Sequence, residues 1–391
     1  MDHVMPEIGT ATAPQQPEWS DTGQVERVGE VLASRPPLVR EADVRTLRAL
    51  LAEVAEGRAL VVQAGDCAED PEECTPGHVA RKSAALDIMA GALRMRAHAP
   101  VLRVGRIGGQ FAKPRSRGTE RVGGLTLPVF RGHMVNGPEP TADSRRPDPL
   151  RVLTGYMAAS DIMDHLGWRG PARRPAADPP VWTSHEALLL AYEMPMLRRG
   201  AAGALYLGST HWPWIGERTR RADGPHVALL AAVANPVACK VGPTTSPEEL
   251  AALCDRLDPQ REPGRLTLIA RMGADLAADR LPRLVETARA AGHPALWLCD
   301  PMHGNTVTTP QGRKTRLVET LRREVRAFVD AVRAAGGVPA GLHLETTPDD
   351  VTECAADAAD LDRVGDRYTS HCDPRLTVAQ AASVISAWDA A

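Results

Sequence analysis

Short apolar runs recur along the chain, each closing on a polar or ionisable residue, and most are followed by an Ala-, Leu- and Arg-rich stretch long enough for one amphipathic helix. The runs are ALVVQAG, APVLRVGR, PVWTSHE, GALYLGS, ACKVGP, LTLIARM, ALWLCDP and GLHLETT. Apolar runs of this length between polar endings read as buried strands, and their alternation with helical stretches predicts parallel strands joined by crossover helices. Eight such units favour an α/β fold of the closed (β/α)₈ TIM barrel type. An open doubly wound sheet would more often carry five to seven strands and a Gly-rich phosphate loop after the first. The segment RVGRIGGQF lacks the spacing of such a loop, so no dinucleotide site is expected. Two stretches, PEPTADSRRPDP and GPARRPAADPP, flank the helical segment LRVLTGYMAASDIMDHLGW in the third unit and read as surface excursions. Residues 1–45, rich in Pro, Glu and Thr with little periodicity, are expected to be an N-terminal extension, and residues 46–391 the barrel.

Composition narrows the partners. A net charge of −3 with 24% charged residues excludes the broadly basic surface of a nucleic-acid or anionic-membrane binder, so any anion binding is local. The longest apolar stretch, HVALLAAVANPVACKV, is broken by Asn235, Pro236 and Lys240, and no cationic start precedes an apolar N-terminal segment. A cytoplasmic protein is expected. Seven cysteines, odd in number, spread through the chain and without a CxxC pair, argue for reduced thiols rather than a disulfide framework or a zinc ribbon.

In a parallel barrel the active site is assembled at the C-terminal ends of the strands, so what each run ends in matters. The first ends in Asp66, Cys67 and Glu69, and the second in Arg106, with Lys113, Arg115 and Ser116 soon after. The third ends in Ser184, His185 and Glu186, the fourth leads to Glu217 and Arg218, and the others bring Lys240, Arg271, His303 and Glu345. Two chemistries separate. Arg106, Lys113, Arg115, Arg218, Lys240 and Arg271 form a cationic set suited to phosphates and carboxylates. Cys67, His303, Glu345 and the later Asp373 offer mixed sulfur, nitrogen and oxygen donors for a divalent transition metal. Their softness points to Mn²⁺ or Co²⁺ rather than Mg²⁺.

The motifs QAGDCAE, GRIGGQFAKPRS, MVNG, SHEALLL, WIGERTR, KVGPTTSPEEL, LIARMG, CDPMHGNT, GRKTR, HLE, DVTEC and CDPRL occur in this order from about residue 60 to the C-terminus. Together they resemble the type II 3-deoxy-D-arabino-heptulosonate 7-phosphate (DAHP) synthases. The resemblance implies a metal-dependent barrel that joins phosphoenolpyruvate to erythrose 4-phosphate at the head of the shikimate route, as a homodimer or higher homo-oligomer. It implies metal ligation by Cys67, His303, Glu345 and Asp373. It also implies phosphoenolpyruvate binding by Arg106, Glu186, Glu217, Arg218, Lys240 and Arg271. Lys113 to Ser116 match the segment that meets the aldose phosphate, with Lys113 near the reacting atoms, and Trp214 matches a site-lining tryptophan. The mechanism expected is aldol-like: Lys113 donates to or steadies the new alkoxide, and Glu217 or Glu186 positions the attacking water.

The chain departs from the family pattern at Ala64, where Gly is usual, at His133, where an acidic residue is expected, and at TSH before CDPRL, where ETA is common. The stretch between MVNG and SHEALLL is short, which implies a form lacking the regulatory helical insertion and little inhibition by aromatic amino acids. Two alternatives stay open: condensation of phosphoenolpyruvate with a different (amino)sugar phosphate for secondary metabolism, and a non-catalytic barrel serving as a binding subunit.

Overall fold

The computed structural model describes residues 13–170 and 178–389; the start of the N-terminal extension and most of GPARRPAADPP lie outside the described residues. Eight parallel strands form one sheet: β1 (Leu60–Gly65), β2 (Val101–Arg106), β3 (Trp182–Thr183), β4 (Trp214–Ile215), β5 (Val237–Val241), β6 (Leu266–Ala270), β7 (Leu296–Cys299) and β8 (Pro339–Glu345). Their spatial order is β3-β2-β1-β8-β7-β6-β5-β4, and every described neighbouring pair is parallel. The two end strands meet. Trp212 N donates to Thr183 O, Trp214 N to His185 O and Ala187 N to Trp214 O, so the sheet closes into a barrel.

The helices α1 (Thr22–Ser34), α2 (Glu41–Ala55), α3 (Pro76–Ala97), α4 (Leu150–His165), α5 (Pro225–Ala231), α6 (Pro247–Leu257), α7 (Ala277–Ala290), α8 (Val318–Ala334) and α9 (Val378–Ile385) accompany the strands. The helix α8 shows why they pack: Leu321, Val325, Phe328, Val329 and Val332 recur at helical spacing and are buried. The strands β5 and β6 are buried along their whole length and, Lys240 and Thr267 aside, are as apolar as strands covered on both faces must be. In α1, Val28 and Leu32 join the same core, and α2 runs through residue 45. No helix of the described residues is long and apolar enough to cross a membrane.

One expected strand is displaced. The run GALYLGS contributes Leu205–Leu207 to a small antiparallel hairpin with Leu197–Arg199, outside the barrel. The fourth barrel strand is Trp214–Ile215, inside a stretch interrupted by Pro213. Two ladder residues and the bridge from Glu186 to Trp214 suffice there, because the neighbouring strands and the packed tryptophans hold it. Periodicity favoured the longer apolar run, and tertiary context overrode it.

Register levels the functional ends. Gly65 sits opposite both Arg106 and Glu345, while Ala270 sits opposite Val241 and Cys299. Gly341 holds β8 against β1: with φ +140°, any Cβ there would fall 1.9 Å from the Val61 carbonyl oxygen.

Candidate active site

A cavity of about 300 Å³ opens at the C-terminal end of the barrel, a size typical of small-molecule sites. Arg106, Lys113, Arg115, Ser116, Glu186, Trp214, Glu217, Arg218, Lys240, Arg271, His303 and Asp373 all line it. The strand ends deliver them: Arg106 closes β2, Lys240 lies within β5, Arg271 directly follows β6, and Glu217 and Arg218 follow β4. Cys67 and Glu345 lie next to the lining residue Lys113, fully buried.

The donor cluster is compact. Ligand atoms of Cys67, Glu345 and Asp373 lie within 4.8 Å of one another. Cys67 Sγ is 3.8 Å from Asp373 Oδ2, and His303 Nε2 is 3.3 Å from Glu345 Oε1. The imidazole Nδ1 of His303 lies 2.8 Å from Asp300 Oδ2, so Nε2 is the ring nitrogen that faces the cluster. A positive charge already sits among these donors: Lys113 Nζ is 2.7 Å from Cys67 Sγ, 2.9 Å from Glu345 Oε1 and 3.3 Å from Asp373 Oδ2. A thiol, an imidazole nitrogen and two carboxylates fit a divalent transition metal.

Charge balance explains the protonation states. Burial would raise the Glu345 carboxyl, but Lys113, His303, Arg316 and Arg106 together hold it well below the usual carboxylate range. Asp300 likewise stays ionised against its burial because of His303 and Lys240. For Lys113 the burial penalty is outweighed by Cys67, Glu345 and Asp373, which raise its pKa. Burial, a hydrogen bond with Cys372 and the Glu345 charge push the Cys67 thiol well up, so a metal must displace its proton to bind. Burial lowers Lys240 and raises Glu186.

Beneath the pocket a polar chain crosses the barrel interior. Gln63 Nε2 donates to Ser184 Oγ at 2.7 Å, which makes Gln63 Oε1 the acceptor for His343 Nδ1 at 2.5 Å. His343 Nε2 then accepts from Arg106 Nη1 at 2.9 Å, while Arg106 Nη2 donates to Glu345 Oε1 at 3.1 Å. Arg106 is thereby fixed between the donor cluster and the pocket. Arg106 Nε, Glu186 Oε1, Glu217 Oε2 and Arg271 Nε are buried without a protein hydrogen-bond partner. Orphaned polar atoms of both signs in one cavity mark where a ligand and water bind. The Glu186 carboxylate reaches its place because residue 216 is glycine; a Cβ there would fall 2.0 Å from Glu186 Oε1.

The profile of the class-II DAHP synthetase family matches residues 7–170 and 159–387. The chain belongs to the class-II DAHP synthetase family. It is 55% identical over 391 residues to the probable phospho-2-dehydro-3-deoxyheptonate aldolase of Pseudomonas fluorescens, covering 100% of this chain and 98% of that protein. It is 40% identical over 416 aligned residues to the phospho-2-dehydro-3-deoxyheptonate aldolase of Streptomyces coelicolor, covering 94% of this chain and 92% of that one. The corresponding enzyme of Mycolicibacterium smegmatis is 39% identical, with 94% and 90% covered. A solved phospho-2-dehydro-3-deoxyheptonate aldolase from Francisella tularensis superposes with a TM-score of 0.54 at 13% identity, over 92% of this chain and 95% of that one. That last likeness shows the fold alone.

Within this DAHP synthetase fold, the cavity lining includes Lys113, the expected substrate-binding residues, His303 and Asp373, while Cys67 and Glu345 lie next to it and His303 approaches the Cys67, Glu345 and Asp373 group at Glu345. Asp300, Gln110, Lys314 and Arg316 were not assigned roles from sequence. Arg316 is fully buried and places Nη2 2.9 Å from Glu345 Oε2, and Lys314 Nζ lies 2.9 Å from Asp373 Oδ1. The motif GRKTR contains both, and the charge of Arg316 inside a polar stretch gives no sign of its burial. His133 and His371 do not line the cavity; they pack edge-on against Phe130, beside Cys372.

Proposed function

We propose that this chain condenses phosphoenolpyruvate with D-erythrose 4-phosphate and water, giving 3-deoxy-D-arabino-heptulosonate 7-phosphate and inorganic phosphate. The observation that carries the reading is one cavity in which a cationic wall of Arg106, Arg218, Lys240 and Arg271 faces the Cys67, Glu345 and Asp373 cluster. The wall offsets the charge of two anionic substrates and brings them together. Arg106, Arg218, Lys240 and Arg271 bind phosphoenolpyruvate, with Trp214 beneath, and Arg115 and Ser116 hold the aldose phosphate at the mouth.

Cys67, His303, Glu345 and Asp373 would hold the metal, best suited as Mn²⁺ or Co²⁺, which supplies Lewis acidity toward the aldehyde oxygen. A bond forms between the enol carbon of phosphoenolpyruvate and the aldehyde carbon. Lys113, charged and next to the cluster, gives a proton to the new alkoxide. Water adds to the carbon that carries phosphate, held by the free carboxylate oxygens of Glu186 and Glu217, and its proton passes to one of them. The carbon–oxygen bond to phosphate then breaks as the new hydroxyl oxygen forms the ketone carbonyl, and the hydroxyl proton leaves with the phosphate.

The family profile matches in two stretches that meet between residues 159 and 170, inside the connection from MVNG to SHEALLL. This supports a short form without the regulatory helical insertion, suited to feeding secondary metabolism. The pair His133 and His371, outside the cavity, gives no reason to prefer an amino sugar.

Turnover of phosphoenolpyruvate with a panel of aldose phosphates tests the reading. Erythrose 4-phosphate is the preferred partner, chelation abolishes the reaction, and Mn²⁺ or Co²⁺ restores it. Full activity in excess chelator would remove the metal assignment.

A further inference from the structure

Residues 13–19 cross the barrel's active-site end before α1 begins. Ala13 and Trp19 pack on the core and Pro17 is buried. Gln16 pins the segment to the loop after β3: its Nε2 donates to Leu188 O at 2.8 Å, and its Oε1 accepts from Leu190 N at 3.0 Å. Beside this anchor Gln15 has φ +66°. Only three non-glycine residues among those described have positive φ, and His98, one of the others, merely caps the end of α3. A left-handed conformation is disfavoured for a residue with a Cβ and persists where surrounding contacts fix it.

What the conformation accomplishes is visible in the partners. Gln15 Oε1 accepts from the backbone N–H of Arg115 at 2.8 Å, and the Gln15 carbonyl accepts from Arg131 Nη1 at 3.3 Å. Arg131 in turn is joined to the same loop through Lys113 N and its own carbonyl, at 2.8 Å. One residue of the N-terminal segment therefore grips both edges of the loop that carries Lys113, Arg115 and Ser116 into the cavity.

We propose that Gln15 is a positioning residue for the aldose phosphate, holding the Arg115 backbone so that Arg115 and Ser116 present their side chains to the phosphate end of that substrate. This rests on the reading of Arg115 and Ser116 given above. The N-terminal segment is thus a strap on the aldose-phosphate half of the site, while Arg106, Lys240 and Arg271 on the phosphoenolpyruvate half are held instead by His343, Glu345, Asp300 and the His303 carbonyl.

Steady-state kinetics on the full chain test this with Gln15→Met, which removes the acceptor, and Gln15→Gly, which frees the backbone at positive φ and also lacks the acceptor. Arg115→Ala is the control. Loss of one hydrogen bond should raise KM for erythrose 4-phosphate about five- to tenfold in both Gln15 variants, with KM for phosphoenolpyruvate and the metal requirement unchanged. An unchanged KM in the Gln15 variants, with Arg115→Ala raising it, overturns the strap alone. An unchanged KM in Arg115→Ala overturns the assignment of the aldose-phosphate grip and the strap with it. An equal rise in both substrates' KM values marks general loosening and also overturns the proposal.

Discussion

Cys67 is the residue whose chemistry the fold isolates most sharply: fully buried, hydrogen-bonded by Lys113 and next to Asp373. Replacing its sulfur by oxygen keeps the shape and removes the soft donor. Cys67→Ser should therefore weaken Mn²⁺ or Co²⁺ binding by at least about tenfold while the thermal midpoint of the metal-free protein stays within a few degrees. Equilibrium metal titration beside a melting curve checks this, and an unchanged metal affinity would contradict it. A second residue carries a pH signature. Burial pushes the Glu324 carboxyl up to about 7, although Asn305 Nδ2 and Gly273 N donate to it. Between the ordinary carboxyl range and about 7 the folded state binds the proton more tightly than the unfolded chain. Stability from this group is therefore highest at low pH, falls as pH rises through that window, and levels off above it. The loss is at most about 3 kcal/mol. Denaturant unfolding at pH 5 and pH 8 should show a smaller difference in Glu324→Gln than in the parent, whatever the variant's overall stability. An equal difference would show that Glu324 does not titrate in that window.

At the scale of elements, the loops after β6 and β7 touch through their backbones. A Cβ on Gly304 would fall 2.4 Å from Gly273 N and 2.6 Å from its Cα, and neither backbone atom can move aside as a side chain can. Arg271 and His303 flank this contact, and Arg271 Nη2 donates to the His303 carbonyl at 3.0 Å. Gly304→Ala should cost about 1–3 kcal/mol of stability and at least about tenfold in kcat/KM for phosphoenolpyruvate. Kinetics and a denaturation curve on the same preparation test both parts; wild-type kcat/KM would show that the loops tolerate separation. Seven of the eight barrel strands were legible in the sequence because their apolar runs end in the very residues the site uses. The fourth was not, because Trp214–Ile215 needs only a two-residue ladder and leaves no periodic trace. The site ionisable residues were legible as strand endings, whereas Arg316 and Asp300 were not assigned. Their importance comes from burial against Glu345 and His303, and burial of a charge is written in tertiary contacts rather than in local pattern. The strap from Gln15 to Arg115 joins residues 100 apart and has no local signal at all.

For the whole molecule, a net charge of −3 coexists with a cavity lined by Arg106, Lys113, Arg115, Arg218, Lys240 and Arg271. The positive charge is concentrated where two anionic substrates must meet, so repulsion between them is overcome locally. The connection between MVNG and SHEALLL holds the single helix α4 among its described residues, and its Arg- and Pro-rich flanks offer few apolar walls for an aromatic ring. Phe, Tyr and Trp, singly or in pairs, should leave the steady-state rate unchanged at submillimolar concentration, and strong inhibition would show that an effector pocket exists elsewhere. The central claim is the reaction itself. Phosphoenolpyruvate and erythrose 4-phosphate, incubated with the Mn²⁺-loaded protein, should give one phosphate for each phosphoenolpyruvate consumed and a single product with the mass of 3-deoxy-D-arabino-heptulosonate 7-phosphate. Phosphoenolpyruvate left intact in that mixture, with the metal bound and the protein folded, would contradict the account.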